Sequence, residues 1–322
     1  MSEKMAVVLL QLGGPNSPEA VEPFLYNLFL DPDIIDFPLA TLAREPLARL
    51  ISKRRSDKVI EKYKEIGGKS PILELTNQQA AELEKELCRD LNVKVFIAMR
   101  YWHPLTDTVV RELVKERFDK VILLPLYPQY SKTTTGSSLN EWHRWCSALG
   151  LSEENQETIH FFFDHPLYIE ALVDRINHAL QQFDDVNGLH LVFSAHGVPM
   201  SVIRSGDPYR DHVEKTVALV IEKGKWNCAH SLCYQSKVGP AKWLRPSLNE
   251  TIGTFGQQGV RNVLVIPIAF VTDHIETLHE IDIEAREFAE KVGISRFELM
   301  PGLNAHPKFI AALADLVRSE LR

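Results

Sequence analysis

Apolar runs of strand length alternate with helical patterns along the whole chain. The runs predict eight strands, at residues 6–12, 93–99, 120–127, 158–163, 189–195, 230–234, 262–270 and 296–300. Nearly continuous apolar strands separated by helices are typical of parallel sheets whose two faces are both covered by helices. The pattern therefore predicts an α/β fold.

The chain is long for a single hydrophobic core, because its 322 residues exceed the roughly 250–300 at which one core stops growing. We therefore predict two doubly wound lobes, Rossmann-like or flavodoxin-like, each with a four-stranded parallel sheet and with an active-site cleft between them. The predicted limits are 1–168 for an N-terminal lobe, 169–304 for a C-terminal lobe, and 305–322 for a helix that packs back on the N-terminal lobe.

Aromatic, basic and acidic side chains follow the predicted strands. His196 comes directly after the fifth strand, and Asp273, His274 and Glu276 come after the seventh. Ligands of open α/β sheets bind outside the carboxyl ends of the strands, so these residues lie where chemistry is expected. A cleft lined in this way suits a large, flat aromatic ligand with acidic substituents.

Glu276, Glu280 and Glu284 recur every four residues and predict an acidic stripe on one helix face. Like charges at this spacing repel by about 0.2–0.5 kcal/mol per pair, and no lysine or arginine lies within the stripe. Two interpretations remain open. The stripe is either a solvated acidic face near a helix N-terminus, or a ladder that conducts a divalent cation or protons to a site near His274 and Glu276.

The net charge of −7 argues against a nucleic-acid partner. No stretch approaches the roughly 18 apolar residues of a membrane span, and the first apolar run lacks a signal-peptide cleavage site, so we predict a cytoplasmic protein. Residues 44–58 depart from the overall balance, with six basic and two acidic residues among leucines. This segment is either the solvated back of a core helix or a basic apolar lip that contacts a membrane or an acidic amphiphile.

Other chemistries have weaker support in the sequence. Gly13 and Gly14 lack the remainder of a dinucleotide fingerprint, and TTTGSS at residues 133–138 lacks the ending of a phosphate-binding loop. Ser194 and His196 have no nucleophile elbow around them. The four cysteines contain no CxxC spacing, so free thiols are favoured over an iron-sulfur cluster that would use Cys228 and Cys233.

Seven longer motifs follow one another along the chain. They are LQLGGP (10–15), YKEIGGKSPI (63–72), RYWHP (100–104), YPQYSKTTTGSSLNEW (127–142), FSAHGVP with GDPY (193–209), QSKVGPAKWL (235–244) and PIAFVTDHIETLHEIDIE (267–284). In this order they resemble the ferrochelatases, the enzymes that insert ferrous iron into a porphyrin at the last step of haem synthesis. The resemblance runs nearly from end to end.

The resemblance implies a role for each matching position. His196 would accept pyrrole protons or deliver the metal, opposite the Glu276 carboxylate, with Asp273 and His274 as supporting neighbours. The implied metal-binding set is His196, Glu276, Glu280 and Glu284, and in the family the last two lie on a widened helical turn. The implied porphyrin-binding residues are Leu12, Arg55, Tyr63, Ser70, Arg100, Tyr101, Tyr127, Trp243 and Phe270.

The implied function is insertion of ferrous iron into protoporphyrin IX to form protohaem, with release of two protons. A chelatase for coproporphyrin III or sirohydrochlorin, or a non-catalytic porphyrin or haem carrier, is the alternative. No cofactor is implied beyond the iron substrate. Relatives with a [2Fe–2S] cluster have a cysteine where Lys132 stands here, so that arrangement is absent. The segment 37–55 is similar to the family's lip, which implies peripheral contact with the inner membrane or with the preceding oxidase.

Two electrostatic expectations accompany this mechanism. An apolar pocket would lower the pKa of His196 and keep the imidazole neutral, ready to take a proton near pH 7. Arg55 and Arg100 would pair with the porphyrin propionates.

Overall fold

The computed structural model describes residues 3–34, 40–184, 186, 188–236 and 241–321. The first part of the predicted lip, residues 37–39, and part of the QSKVGPAKWL motif, residues 237–240, lie outside the described residues. The packing of the chain divides it into two compact units. The first contains Met1–Phe161 and Ile310–Arg322, and the second contains Phe162–Phe309.

The first unit is built on a four-stranded parallel sheet. Its strands are β1 (Lys4–Gln11), β2 (Asn92–Met99), β3 (Lys120–Pro125) and β4 (Gln156–Thr158), in the order β2-β1-β3-β4. Its helices are α1 (Val21–Leu30), α2 (Ala40–Glu65), α3 (Ile72–Leu87), α4 (Thr106–Glu116) and α5 (Ser137–Leu149), with a 3₁₀ turn at Pro18–Ala20 and a π-helical turn at Lys132–Gly136.

The second unit repeats this architecture. Its strands are β5 (Leu189–His196), β6 (Ala229–Gln235), β7 (Asn262–Pro267) and β8 (Arg296–Leu299), all parallel, in the order β6-β5-β7-β8. Its helices are α6 (Pro166–Leu180), α7 (Met200–Arg204), α8 (Tyr209–Gly224), α9 (Leu248–Gln258) and α10 (Arg286–Lys291), and a π-helix spans Glu276–Ala285. The last helix of the chain is α11 (Pro307–Ser319).

The strand order gives each sheet a switch point. In the second unit the chain leaves β5 toward β6 on one side and continues to β7 on the other, so a crevice opens outside the carboxyl ends of β5 and β7. In the first unit the same position lies outside β1 and β3. The fold therefore places His196, the last residue of β5, and the segment after β7 beside one crevice.

Apolar burial holds each sheet between its helices. Residues 5–10 of β1 are at most 4% exposed and form the centre of the first sheet. In the second unit, Val192 of β5 and Val263 and Val265 of β7 pack with Ile252 and Phe255 of α9. Both faces of each central strand are thus covered, as the continuous apolar runs predict.

The predicted fold class, with two doubly wound lobes and four-stranded parallel sheets, is confirmed. Two strands end earlier than predicted, β3 at Pro125 and β7 at Pro267, because proline has no N–H to continue a strand ladder. The fourth strand occupies residues 156–158 instead of 158–163. The residues after this strand are apolar although they are not part of the sheet. Phe162, for example, packs edge-on against Tyr168, with ring centroids 5.4 Å apart.

The compact units divide at residues 161/162 and 309/310; the lobe limits at 168/169 and 304/305 stay predictions. The rings of Phe162 and Phe309 lie 6.2 Å apart within the second unit. In the first unit, Arg318 of α11 pairs with Asp90 at 2.7 Å.

No helix of the described part of the chain is long and apolar enough to cross a bilayer.

Candidate active site

His196 ends β5 with its imidazole at the crevice of the second unit. Its Nδ1 lies 2.7 Å from Glu276 Oε2, and its side chain is 34% exposed. The Tyr209 hydroxyl donates to the His196 carbonyl at 2.9 Å and fixes the backbone there. Because the bond to Glu276 uses Nδ1, the nitrogen available to a substrate is Nε2.

Glu276 opens the π-helix and receives polar contacts on both carboxylate oxygens. The Ser236 hydroxyl donates to Oε2 at 2.8 Å, and His274 Nε2 lies 4.0 Å from Oε1. His274 is itself buried, with Nδ1 3.0 Å from the Thr272 carbonyl. The Glu276 side chain is 18% exposed, so its charge is balanced mainly by protein groups.

Ser236 is a site residue that the sequence analysis missed. Its hydroxyl oxygen lies 2.8 Å from Glu276 Oε2 and 2.6 Å from Glu280 Oε2. A hydroxyl has one proton, so both contacts are hydrogen bonds only when one of the two carboxyl groups is protonated. Ser236 thus offers a proton path between two glutamates. Its signal in the sequence is its position directly after β6.

The electrostatics of the pair correct the expected pKa of His196. Burial by itself lowers that pKa, but the charge and hydrogen bond of Glu276, with a contribution from Glu280, raise it above the ordinary 6.5. Burial acts against the Glu276 carboxylate, yet His196 first, then His274 and Ser236, lower the Glu276 pKa to about 2. The prediction of a lowered His196 pKa is therefore wrong, because a sequence does not show which carboxylate faces a histidine.

The glutamate ladder lies on a π-helix instead of the α-helix that its spacing suggests. Glu276, Glu280 and Glu284 all belong to the segment Glu276–Ala285, in which the wider turn changes the angle between successive side chains. Glu284 is 51% exposed and lies 3.8 Å from the Nδ1 of buried His279. The ladder therefore leads from a buried end at Glu276 toward solvent at Glu284.

Aromatic groups line the crevice of the second unit. The Phe270 ring stands edge-on to His196 at 6.4 Å and lies 4.7 Å from His274. Trp243 is half-buried and approaches Gly197, where an added Cβ would meet the Gln235 carbonyl at 2.8 Å and Trp243 Cε3 at 3.3 Å. Glycine is thus required after the histidine.

The porphyrin-binding residues predicted in the first unit differ in burial and position. Leu12, Arg100 and Tyr101 meet at the ends of β1 and β2, where Tyr101 N donates to the Leu12 carbonyl at 3.0 Å. Arg55 is exposed on α2, with its guanidinium 5.6 Å from the Phe29 ring centroid. The remaining ones, Tyr63 and Ser70, are buried, and Tyr127 is half-buried.

Arg100 is already paired inside the first unit. Its Nη2 lies 3.1 Å from the buried Asp31 carboxylate, its Nη1 lies 3.7 Å from Glu141, and its side chain is 9% exposed. Tyr101 also donates to Asp31, at 2.5 Å. The charge of Arg100 is therefore matched by protein carboxylates, whereas Arg55 is exposed.

Burial disfavours the thiolate form of three of the four cysteines. All four are free thiols. Burial raises the pKa of Cys146 to about 11 and that of Cys233 to about 12, and it also raises the pKa of Cys228. Within the described ranges, no three His, Cys, Asp or Glu side chains form a group that could hold a metal ion. The metal-binding set His196, Glu276, Glu280 and Glu284 stays a prediction.

Two solved structures share this fold. SirB from Bacillus subtilis, solved with Fe³⁺, matches with a TM-score of 0.58 at 12% identity, over 98% of this chain and 95% of SirB. DR2241 from Deinococcus radiodurans, a multi-domain protein with structural similarity to chelatases, matches with a TM-score of 0.54 at 13% identity, over 98% of this chain and 54% of its own. Identities this low show a shared fold alone.

Sequence comparison then defines the family. The Ferrochelatase family model matches residues 4–321. The ferrochelatase of Geotalea daltonii is 48% identical over 320 residues, which cover 99% of this chain and 98% of the relative. That of Aquifex aeolicus is 46% identical over 318 residues, 99% of this chain and 100% of the relative. The chain belongs to the ferrochelatase family and is a porphyrin metal chelatase that acts with iron.

The His196–Glu276 pair makes a testable prediction about titration. In the wild-type protein, the His196 imidazole should titrate above 6.5, because the Glu276 carboxylate stabilises the imidazolium. In Glu276→Gln, burial outweighs the remaining charge of Glu280, so the pKa of His196 should fall below 6.5. Imidazole NMR titration measures both values, with exposed His178 as an internal control. An unchanged His196 pKa in the variant would show that the two groups are not coupled.

Proposed function

We propose that this protein inserts ferrous iron into protoporphyrin IX to form protohaem and releases two protons for each iron inserted. The observation that carries the proposal is the 2.7 Å contact between His196 Nδ1 and Glu276 Oε2 at the crevice of the second unit. Family membership supports a porphyrin and iron as the reactants.

The free porphyrin needs a base before it can accept a metal, because two of its four ring nitrogens carry protons. Neutral His196 can take one of these protons on Nε2, and Glu276 stabilises the imidazolium that forms. The carboxylate therefore makes His196 a stronger base than a buried histidine without a partner. Each N–H bond broken leaves a lone pair on a pyrrole nitrogen, which then forms a bond to iron.

The second proton has a path away from the ring along the ladder. Glu276 and Glu280 are joined through the Ser236 hydroxyl, with contacts of 2.8 Å and 2.6 Å. A proton passed to Glu280 completes both hydrogen bonds of Ser236. Exposed Glu284 continues this path from Glu280 to solvent. The second proton can therefore leave by way of the glutamates, and His196 has to accept only the first.

Iron would meet imidazole and carboxylate groups that suit a borderline metal. Glu276 supplies a carboxylate ligand, and His196 is a second ligand only before Nε2 takes a pyrrole proton, because the imidazolium has no lone pair for iron. The remaining coordination positions are open to pyrrole nitrogens. Thiolates would hold the metal more tightly, and the buried cysteines hold their protons. A weak two-ligand site suits a protein that hands its metal to a substrate.

We propose that replacing His196 abolishes insertion while leaving porphyrin binding largely intact. In His196→Ala the base is lost, whereas Phe270 and Trp243 still present their rings to the macrocycle. Iron insertion is followed anaerobically by the metalloporphyrin spectrum, and porphyrin binding by fluorescence quenching. The matched control is His178→Ala, an exposed histidine of the same unit, which should keep full activity. Retained turnover in His196→Ala would refute the assignment of the base.

We propose that Arg55 contacts a propionate of the porphyrin, since it is the exposed member of the predicted arginine pair. Loss of one charge-assisted hydrogen bond should raise KM for protoporphyrin about tenfold in Arg55→Ala. The dimethyl ester of the porphyrin has no carboxylate, so its KM should not change in the variant. The neighbouring exposed Arg54→Ala serves as the control. An equal loss for acid and ester would contradict a propionate contact.

We further propose that α2 touches an anionic membrane surface, where an apolar porphyrin would be delivered. Leu47 and Leu50 of α2 are 37% and 53% exposed and lie among basic residues, a combination that favours anionic lipid surfaces. The protein should sediment with phosphatidylglycerol vesicles at low salt, and the Leu47→Ser/Leu50→Ser variant should bind them less. Val114→Ser, an exposed position on α4, is the control. Equal binding of both variants would contradict the proposal.

A further inference from the structure

The loop that follows β8 runs alongside the loop that follows β7. Met300 N donates to the Val265 carbonyl at 2.8 Å, and Asn304 N donates to the Val271 carbonyl, also at 2.8 Å. These bonds hold the neighbouring chain segments together beyond the end of the β-ladder. The β8 loop is therefore placed to act on the segment that leads into the π-helix.

Asn304 binds Asp273 through both ends of its side-chain amide. Its Oδ1 accepts from the Asp273 backbone N–H at 3.1 Å, and its Nδ2 donates to Asp273 Oδ2 at 2.8 Å. Asn304 has a φ of 46°, in the left-handed region that asparagine and aspartate tolerate better than most residues. Both the left-handed backbone and the two contacts of the side-chain amide therefore favour asparagine at position 304.

The other oxygen of Asp273 is held as well. Oδ1 accepts from the Gly302 N–H at 3.0 Å and lies 3.2 Å from the Thr277 hydroxyl, whose one proton also has the His274 carbonyl within reach at 3.0 Å. The Gly302 backbone approaches so closely that an added Cβ would lie 3.1 Å from Asp273 Oδ1. The Thr277 hydroxyl also accepts from the His274 N–H at 3.0 Å. The Asp273 carboxylate thus joins the β8 loop to the first turn of the π-helix.

We propose that Asn304 is a positioning residue, which anchors Asp273 and so fixes the start of the π-helix that holds Glu276 against His196. This inference rests on the proposed function, because Glu276 matters only if the His196–Glu276 pair performs the chemistry. Asn304 does not touch the pair. It acts through Asp273, three residues before Glu276, and a small displacement of a catalytic group is costly.

The test exchanges the two anchoring residues. In Asn304→Asp, a carboxylate replaces the amide and faces Asp273 Oδ2 across the 2.8 Å contact, so the anchor is repelled. In the double variant Asp273→Asn/Asn304→Asp, the amide at position 273 donates to the carboxylate at position 304, so the hydrogen bond between the two side chains is restored with its direction reversed. The double variant also has the net charge of the wild type. Aspartate also tolerates the left-handed backbone, so the single variant changes the anchor and not the local conformation.

We expect the kcat of iron insertion to fall at least about tenfold in Asn304→Asp, with KM for the porphyrin unchanged, because the crevice rings stay in place. The double variant should recover most of the wild-type kcat. Asn249→Asp, an exposed substitution of the same kind in the same unit, should behave as the wild type. A general loss of stability in Asn304→Asp would lower both activity and porphyrin binding. The second substitution, Asp273→Asn, would then not restore kcat.

Hydrogen exchange tests the anchor without relying on activity. The Asp273 amide is bonded to Asn304 and the Gly302 amide to Asp273, so both should exchange faster in Asn304→Asp and return to wild-type rates in the double variant. If exchange is restored but kcat is not, the charge of Asp273 acts directly and the positioning role is wrong. Unchanged exchange in Asn304→Asp would also overturn the proposal. If the wild type inserts no iron, the proposed function fails, while the exchange data still decide whether the anchor exists.

Discussion

The proposed chemistry of this protein depends on one hydrogen-bonded pair, His196 and Glu276, held 2.7 Å apart by strand β5 and the π-helix. The pair resolves an electrostatic conflict. Burial alone would neutralise both groups, whereas together they favour the imidazolium and the carboxylate. His196 contributes stability below its ordinary pKa of 6.5 that is lost as pH rises through its raised value. Glu276 contributes stability above its ordinary pKa of 4.5 that is lost as pH falls toward about 2.

The pair stands where topology provides a crevice. Both sheets have the order 2-1-3-4 when their strands are counted within each unit. Each unit also has a π-helical segment after its third strand, Lys132–Gly136 in the first and Glu276–Ala285 in the second. This structural repeat has no direct counterpart in the amino-acid sequence. In the second unit the crevice holds a histidine and carboxylates, whereas in the first unit Arg100, which follows β2, is neutralised by Asp31.

The alternation of apolar runs and helical patterns was enough to predict the two sheets, because a covered parallel strand must be apolar on both faces. The position of His196 at the end of β5 was also predictable, to within one residue. Ser236 and Asn304 were not, because their roles depend on which strands are neighbours, and strand order is set by packing across distant parts of the chain. The π-helix was equally hidden from the residue pattern. A spacing of four residues fits an ordinary α-helix, and only the family resemblance pointed to a wider turn.

The central claim is that the chain couples iron insertion to the removal of two porphyrin protons. The direct test mixes purified protein, ferrous iron and protoporphyrin IX anaerobically in weak buffer with a pH indicator, with coproporphyrin III in a parallel reaction. The account predicts a metalloporphyrin spectrum, two protons released for each haem formed, and faster turnover of protoporphyrin. Tight porphyrin binding with no metalloporphyrin would contradict it and would indicate a carrier, and faster turnover of coproporphyrin would contradict the choice of substrate.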